Sequence, residues 1–255
     1  MNTDEKIIFE KIKKAIAQAN NIVCVMGLDT VVECGGINLW DNDNLYRIEK
    51  SYGLSPEEML SAGEFATRKE RFYDFYKKEI LGVSMHSGPT YDALKVLDAS
   101  GKLKNIITVN IYGMERINGL NNVIELAGNI HNNYCPVCKK TFPMEYLLES
   151  KAVPICNECK EAIRPNIRLL GERVRNDLYT KAAIACSEAE VILVLGTNLH
   201  SSKVQYCTGH YKGNQLILIN EEKHFTDKFA DCVYYDRPMN VLPKLVEGLM
   251  TGLWK

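Results

Sequence analysis

The chain has 255 residues, 46% of them hydrophobic and 25% charged, with a formal net charge of −1. That length can bury a real core, as one large unit or a large unit with a small insert. The charge balance offers no polyanion-binding surface and hence no nucleic-acid partner. No apolar run approaches the roughly 18 residues of a membrane span.

The N-terminal stretch "MNTDEKIIFEKIKKAIAQANN" has apolar residues at helical spacing with charges between them, which predicts an amphipathic helix rather than a signal-peptide core. The run "NIVCVMG" (21–27) then reads as a buried strand. A Gly-rich turn, "MGLDTVVECGGINLW", follows it directly. Such a turn can present backbone N–H groups to a phosphate, although Asp29 adds negative charge there and a plain tight turn explains it equally well. Residues 44–87 are charged, aromatic and helical, with Ser55 as an N-cap and Pro56 in the first turn. Phe65, Phe72, Tyr73, Phe75, Tyr76 and Ile80 of this insert form either its inner face or a surface for a partner.

Further strands are expected at 103–113, 191–197 and 215–220, with weaker ones at 122–126 and 231–235. Helical patterns lie between them, as in "TYDALKVLDASGKL" and "LYTKAAIACSEAE". The alternation predicts an α/β fold, a Rossmann-type doubly wound parallel sheet, with ligands beyond the carboxyl ends of its strands. A smaller helical and zinc-ribbon domain (44–87 and 134–163) is expected beside a large domain (1–43, 88–133 and 164–255).

Nine cysteines are an odd number for a disulfide framework, and a reducing cytoplasmic setting is expected. "CPVC" and "CNEC" place Cys135, Cys138, Cys156 and Cys159 as two C-x-x-C pairs, 17 residues apart. Two such loops can converge four thiolates on a structural zinc ion, leaving no open coordination position. Cys24, Cys186, Cys207 and Cys232 read as buried small hydrophobes. Cys34, in the Gly-rich stretch, has a reactive role as its alternative, and His131 reads as a solvated loop residue.

Together these blocks resemble the sirtuins, the NAD-dependent protein deacylases. The resemblance runs over nearly the whole chain. Residues 26–40 align without a gap with the family loop T-G-A-G-x-S-x-x-S-G-I-P-D-F-R. "VNIYG" (109–113) corresponds to Q-N-x-D-G, "VIELAG" (123–128) to V-I-E-L-H-G, and "RPNIRLLGE" (164–172) to R-P-x-x-x-x-F-G-E. "GTN" (196–198) corresponds to G-T-S and "LIN" (218–220) to the L-I-N strand end.

The resemblance implies an NAD or ADP-ribose site. It assigns Gly27, Asp29, Glu33 and Trp40 to the cofactor loop, and Val109 and Asn110 to the nicotinamide side. It gives Gly196, Thr197 and Asn198 a phosphate or ribose, and Asn220 and Glu221 the adenosine hydroxyls. Leu170, Gly171 and Glu172 fall on the edge where an acyl-lysine peptide adds as a strand.

The departures are informative. The family's general base, a histidine, is Ala127 here, and a methyl group accepts no proton. Val109 and Tyr112 replace the glutamine and aspartate of Q-N-x-D, leaving Asn110. Ile37, Asn38, Leu39 and Trp40 replace P-D-F-R, and Val31 replaces a serine. Asp29 replaces a glycine facing the diphosphate; like charges about 4 Å apart at an effective dielectric near 20 repel by roughly 4 kcal/mol. Three readings follow. The first is an impaired pseudo-sirtuin binding a nucleotide or peptide. The second is an active non-standard deacylase or ADP-ribosyltransferase with Glu115 or His131 as base. The third is a structural subunit that docks a protein partner.

Overall fold

The computed structural model describes residues 3–249, so Met1 and Asn2 of the expected first helix and residues 250–255 of the expected large domain lie outside it. Among the described residues eight strands occur in chain order: β1 (Ile22–Met26), β2 (Leu103–Thr108), β3 (Val123–Glu125), β4 (Asn133–Tyr134), β5 (Thr141–Phe142), β6 (Val191–Leu195), β7 (Leu216–Ile219) and β8 (Cys232–Tyr234). Six form one parallel sheet in the order β3-β2-β1-β6-β7-β8, as the alternating pattern predicts.

The sheet separates two apolar layers. Because successive strand side chains point to opposite faces, Ile22, Cys24 and Met26 join one core cluster while Val23 and Val25 join the other. The first layer includes Ile12 and Ile16 of the helix Thr3–Gln18, Leu94 and Leu97 of Pro89–Ala99, and Val241, Leu242 and Leu245 of Pro238–Val246. The second includes Ala182, Ala185 and Cys186 of the helix Asn176–Glu188, and Val204 and Cys207 of Ser202–Thr208. Every residue of β1 and β6 is buried, which is why those strands read as unbroken apolar runs.

Between the first two strands the chain makes helices at Asn42–Tyr52, Pro56–Met59, Ala62–Thr67 and Lys69–Phe75, then a wider π-helical turn at Tyr76–Leu81. Ser55 caps as expected: its side chain accepts from the Glu58 N–H, and Glu58 accepts in return from the Ser55 N–H. Phe72, Tyr73, Phe75, Tyr76 and Ile80 are buried, with Phe65 packed against them. This excludes the partner-docking reading of those aromatics. The insert is tied to the cysteine-bearing segment by the Tyr73 hydroxyl donating to the Ile163 carbonyl and by Lys77 Nζ donating to the Ala152 carbonyl at 2.6 Å.

Several expectations need correction. The strand expected to reach residue 113 ends at Thr108. Beyond it the Asn110 side chain donates to the Gly27 carbonyl at 2.7 Å, and Gly113 adopts φ +65°, so the chain turns away from the sheet. Cys34 is fully buried, and its thiol is pushed up to about 12 by burial and by Glu33, which removes the reactive alternative. Cys24, Cys186, Cys207 and Cys232 are buried as expected.

Candidate functional site

The carboxyl ends of β1, β2 and β6 open on one edge of the sheet, where the order steps from β2-β1 to β1-β6. Their loops interlock there. The Gly27 N–H donates to Leu195 O at 2.8 Å and the Asp29 N–H to Gly196 O at 3.2 Å. A Cβ on Gly27 would stand 2.2 Å from the Thr197 Cβ and 2.3 Å from the Gly196 carbonyl, so only glycine fits. Gly196 itself has φ +63°.

Beside these loops lies a pocket of about 290 Å³. Leu28, Ile37, Leu39 and Trp40 line it from the Gly-rich stretch, and Glu57, Leu60 and Ile80 from the helical insert. Val109, Asn110, Ile111 and Tyr112 come from the turn after β2, Ala127 from the segment after β3, Ile167, Arg168 and Leu170 from the segment before the Gly171 turn, and Lys203 from the Ser202–Thr208 helix. The lining is mainly apolar. Tyr112 is buried and Trp40 is half exposed.

Of the residues assigned from the sequence, this pocket gathers Trp40, Val109, Asn110, Ala127 and Leu170. The others have different surroundings. Glu33 accepts from the Thr90 N–H at 3.0 Å and the Thr90 hydroxyl at 2.7 Å, anchoring the start of the Pro89–Ala99 helix. Asp29 sits near Glu221 and Glu222; burial first, then those two carboxylates, hold its proton above the usual range, with Arg237 opposing. Glu221 is paired with Arg237 at 2.8 Å. Asn198 accepts from the His200 N–H at 2.9 Å. Asn220 is buried; its Nδ2 donates to Glu222 O, and its Oδ1 has no partner among the described residues.

At the expected peptide edge, the Leu170 N–H donates to Leu60 O at 2.8 Å and its carbonyl accepts from the Ala62 N–H at 2.9 Å. Glu172 closes the turn by accepting from the Leu169 N–H and from Arg164 Nη2. The backbone groups of Gly171, at φ +90°, have no partner among the described residues.

The two residues considered as replacement bases do not line the pocket. Glu115 is not a solvated surface residue: it is fully buried, and burial raises its pKa against the opposing pull of its own backbone N–H and the Thr108 hydroxyl. His131 is half-buried rather than solvated, its Nε2 lying 2.9 Å from the Tyr112 carbonyl.

The sequence reading missed two cations. Arg168 donates from Nη1 to the Glu172 carbonyl at 2.9 Å, while its Nε is buried without a partner among the described residues. Lys203 has no side-chain hydrogen bond or salt bridge among the described residues, and burial, then the Arg168 charge, push its pKa down to about 8. The signal available was a lone arginine within the apolar run "NIRLL".

The four paired cysteines converge. Their Sγ atoms all lie within 4.8 Å of one another, with Cys135–Cys159 at 3.2 Å and Cys138–Cys156 at 3.6 Å. Four thiolates about 2.3 Å from a tetrahedral zinc stand about 3.8 Å apart, so the donor set fits that ion. The two loops are built alike. The Cys135 N–H donates to Lys140 O and the Cys156 N–H to Glu161 O, both at 2.8 Å, while Lys139 and Lys160 take matching left-handed conformations at φ 64° and 63°.

A family model described as "Sir2 family" matches residues 30–204. A protein of Clostridium tetani called NAD-dependent protein deacetylase is 34% identical over 241 residues, covering 94% of this chain and 98% of that protein. One of Clostridium acetobutylicum with the same name is 32% identical over 237 residues, covering 92% and 97%. Among solved structures, an ADP-ribose complex of a mutant Sir2 homologue superposes with a TM-score of 0.84 at 25% identity, covering 96% of this chain and 97% of that one.

Proposed function

Because the chain belongs to the Sir2 family, we propose that it uses the family scaffold as a nucleotide- or peptide-binding module and has lost efficient NAD-dependent deacylation. The observation that carries this is Ala127: it lines the pocket where the resemblance places the proton acceptor, and its methyl group cannot take a proton. Val109 adds an apolar wall on the side assigned to nicotinamide. The cluster of Asp29, Glu221 and Glu222 supports weakened binding of a diphosphate. Asn110 and the Gly27–Gly196 contact keep the loop in place, and the unpaired Oδ1 of Asn220 offers an acceptor to a ribose hydroxyl. The four-cysteine cluster holds zinc in a structural role in this reading, within a small unit of residues 44–87 and 134–163. An acyl-lysine peptide or protein partner would find free backbone groups at Gly171.

A second reading, an active NAD-consuming enzyme, is favoured by the near full-length similarity to proteins called NAD-dependent protein deacetylase and by Glu57, a carboxylate that does line the pocket. Two measurements separate them. ADP-ribose is titrated by calorimetry, and nicotinamide release from NAD is followed with an acetyl-lysine peptide. Binding without release supports the first reading, and an Ala127→His, Val109→Gln double variant is then expected to restore release. Release by the wild type that Glu57→Gln abolishes overturns the first reading in favour of the second.

A further inference from the structure

Two cations share a mainly apolar cavity, and neither is neutralised there. Arg168 spends one N–H on the Glu172 carbonyl and leaves its buried Nε unpaired. Glu172 does not neutralise it, because its carboxylate is engaged by Arg164 Nη2 at 2.6 and 2.7 Å and by the Leu169 N–H. Lys203 projects into the same cavity with no side-chain partner among the described residues. The remaining charged side chain of the lining, Glu57, has no salt bridge with either among the described residues. Holding two like charges together in a partly desolvated cavity is costly, and a ligand anion between them relieves both the repulsion and the unpaired donor.

The rest of the wall, including Leu28, Leu39, Val109 and Ile167, offers only apolar surface. A cavity of about 150 Å³ accepts a benzene ring, so one of about 290 Å³ suits roughly ten heavy atoms. We propose that this pocket binds an aliphatic chain ending in a carboxylate, with the chain against the leucine and isoleucine walls and the carboxylate between Arg168 and Lys203. The ligand's chemistry is shared by two sources: a free medium-chain carboxylate, and an acyl group on lysine whose far end is a carboxylate. The inference rests on the reading that the pocket is a binding site, and it names the ligand class.

The test is calorimetric titration of the full, zinc-loaded chain with two pairs of probes. Octanoate is compared with octan-1-ol, and a peptide carrying adipoyl-lysine with one carrying hexanoyl-lysine. A preference of at least tenfold for the charged member is expected in one pair or both. Preference for octanoate identifies the free acid as the source, and preference for the adipoyl peptide identifies the lysine-linked acyl group. Lys203→Met, which breaks no bond in the free protein, and Arg168→Gln should each reduce that preference about tenfold and leave octan-1-ol binding unchanged. Equal affinity within both pairs overturns the proposal, as does a preference that survives both substitutions, or no binding of any probe. Nicotinamide release from NAD, followed in the same preparations, tests the non-catalytic reading separately: turnover would remove that reading while the charged-chain preference still stood.

Discussion

Gly128 and Gly171 both hold left-handed backbone, at φ +74° and +90°, but in different surroundings, so an alanine at each separates two costs. At either position a Cβ in that region costs about 1–2 kcal/mol. At Gly171 nothing lies within 4 Å of the added carbon, and the loss stops there. At Gly128 the carbon would stand 2.0 Å from the Asn166 carbonyl oxygen and 2.9 Å from its carbon. The backbone of 166–168 must then move. It is held by the Asn129 N–H donating to Asn166 O at 2.9 Å and the Arg168 N–H donating to Ala127 O at 2.8 Å. Losing two such bonds adds about 1 kcal/mol each, which brings Gly128→Ala to about 3–4 kcal/mol. The gap of about 2 kcal/mol between the variants corresponds to roughly 4–8 °C in melting temperature for a chain of this size. Urea unfolding followed by circular dichroism, with zinc present, measures both. Because Ala127, Ile167 and Arg168 line the pocket, Gly128→Ala should also weaken ligand binding there, while Gly171→Ala should not. Equal destabilisation by the two alanines would refute the reasoning.

The cysteine cluster should retain about one zinc per chain through purification. Cys138→Ser or a strong chelator is expected to release the metal and raise hydrogen exchange first in residues 133–163; unchanged exchange after release would count against a structural role. Glu115→Gln should stabilise the protein near neutral pH. Burial raises the carboxyl's pKa above its unfolded value, so the folded state keeps a proton that the unfolded chain has lost, and wild-type stability falls as pH climbs through that interval. Below the ordinary carboxylate range both states are protonated and the advantage of glutamine should vanish, which denaturation from pH 3 to 8 would show. Arg164→Lys keeps the charge beside Glu172, yet loses the guanidinium stacked 4.7 Å from the Phe65 ring centroid. A loss of about 1–2 kcal/mol is expected, and no change would mean the stacking carries no weight.

Local pattern made much of this molecule legible. The apolar runs marked β1, β6 and β7 because strands buried on both faces need no polar alternation, and Ser55–Pro56–Glu57–Glu58 announced a helix start that formed as read. The paired cysteines declared their convergence because metal loops fix their own spacing. What stayed hidden depends on neighbours remote in sequence. Val109–Gly113 looks like the tail of a strand until the Asn110 side chain is seen held by Gly27, 83 positions away. Glu115 reads as a surface acid in "GMERIN", although it is fully buried. Arg168 and Lys203 are ordinary cations in sequence and become unusual only because the fold places both in one apolar cavity.

The packing of the helix Thr3–Gln18 against Pro238–Val246 has a consequence for how the protein is made. The helix Thr3–Gln18 rests on the last one described, and β1 sits between β2 and β6, so Ile22 must wait for Val191 to pair on one side. At translation rates of about 5–20 residues per second, the stretch from Ile22 to its partner Val191 takes roughly 8–34 s. Through most of that interval the edge of β1 and the apolar face of Ile12 and Ile16 are without their final partners. That half of the sheet therefore forms late, whereas each cysteine loop closes on contacts only five residues apart and can form as soon as it emerges.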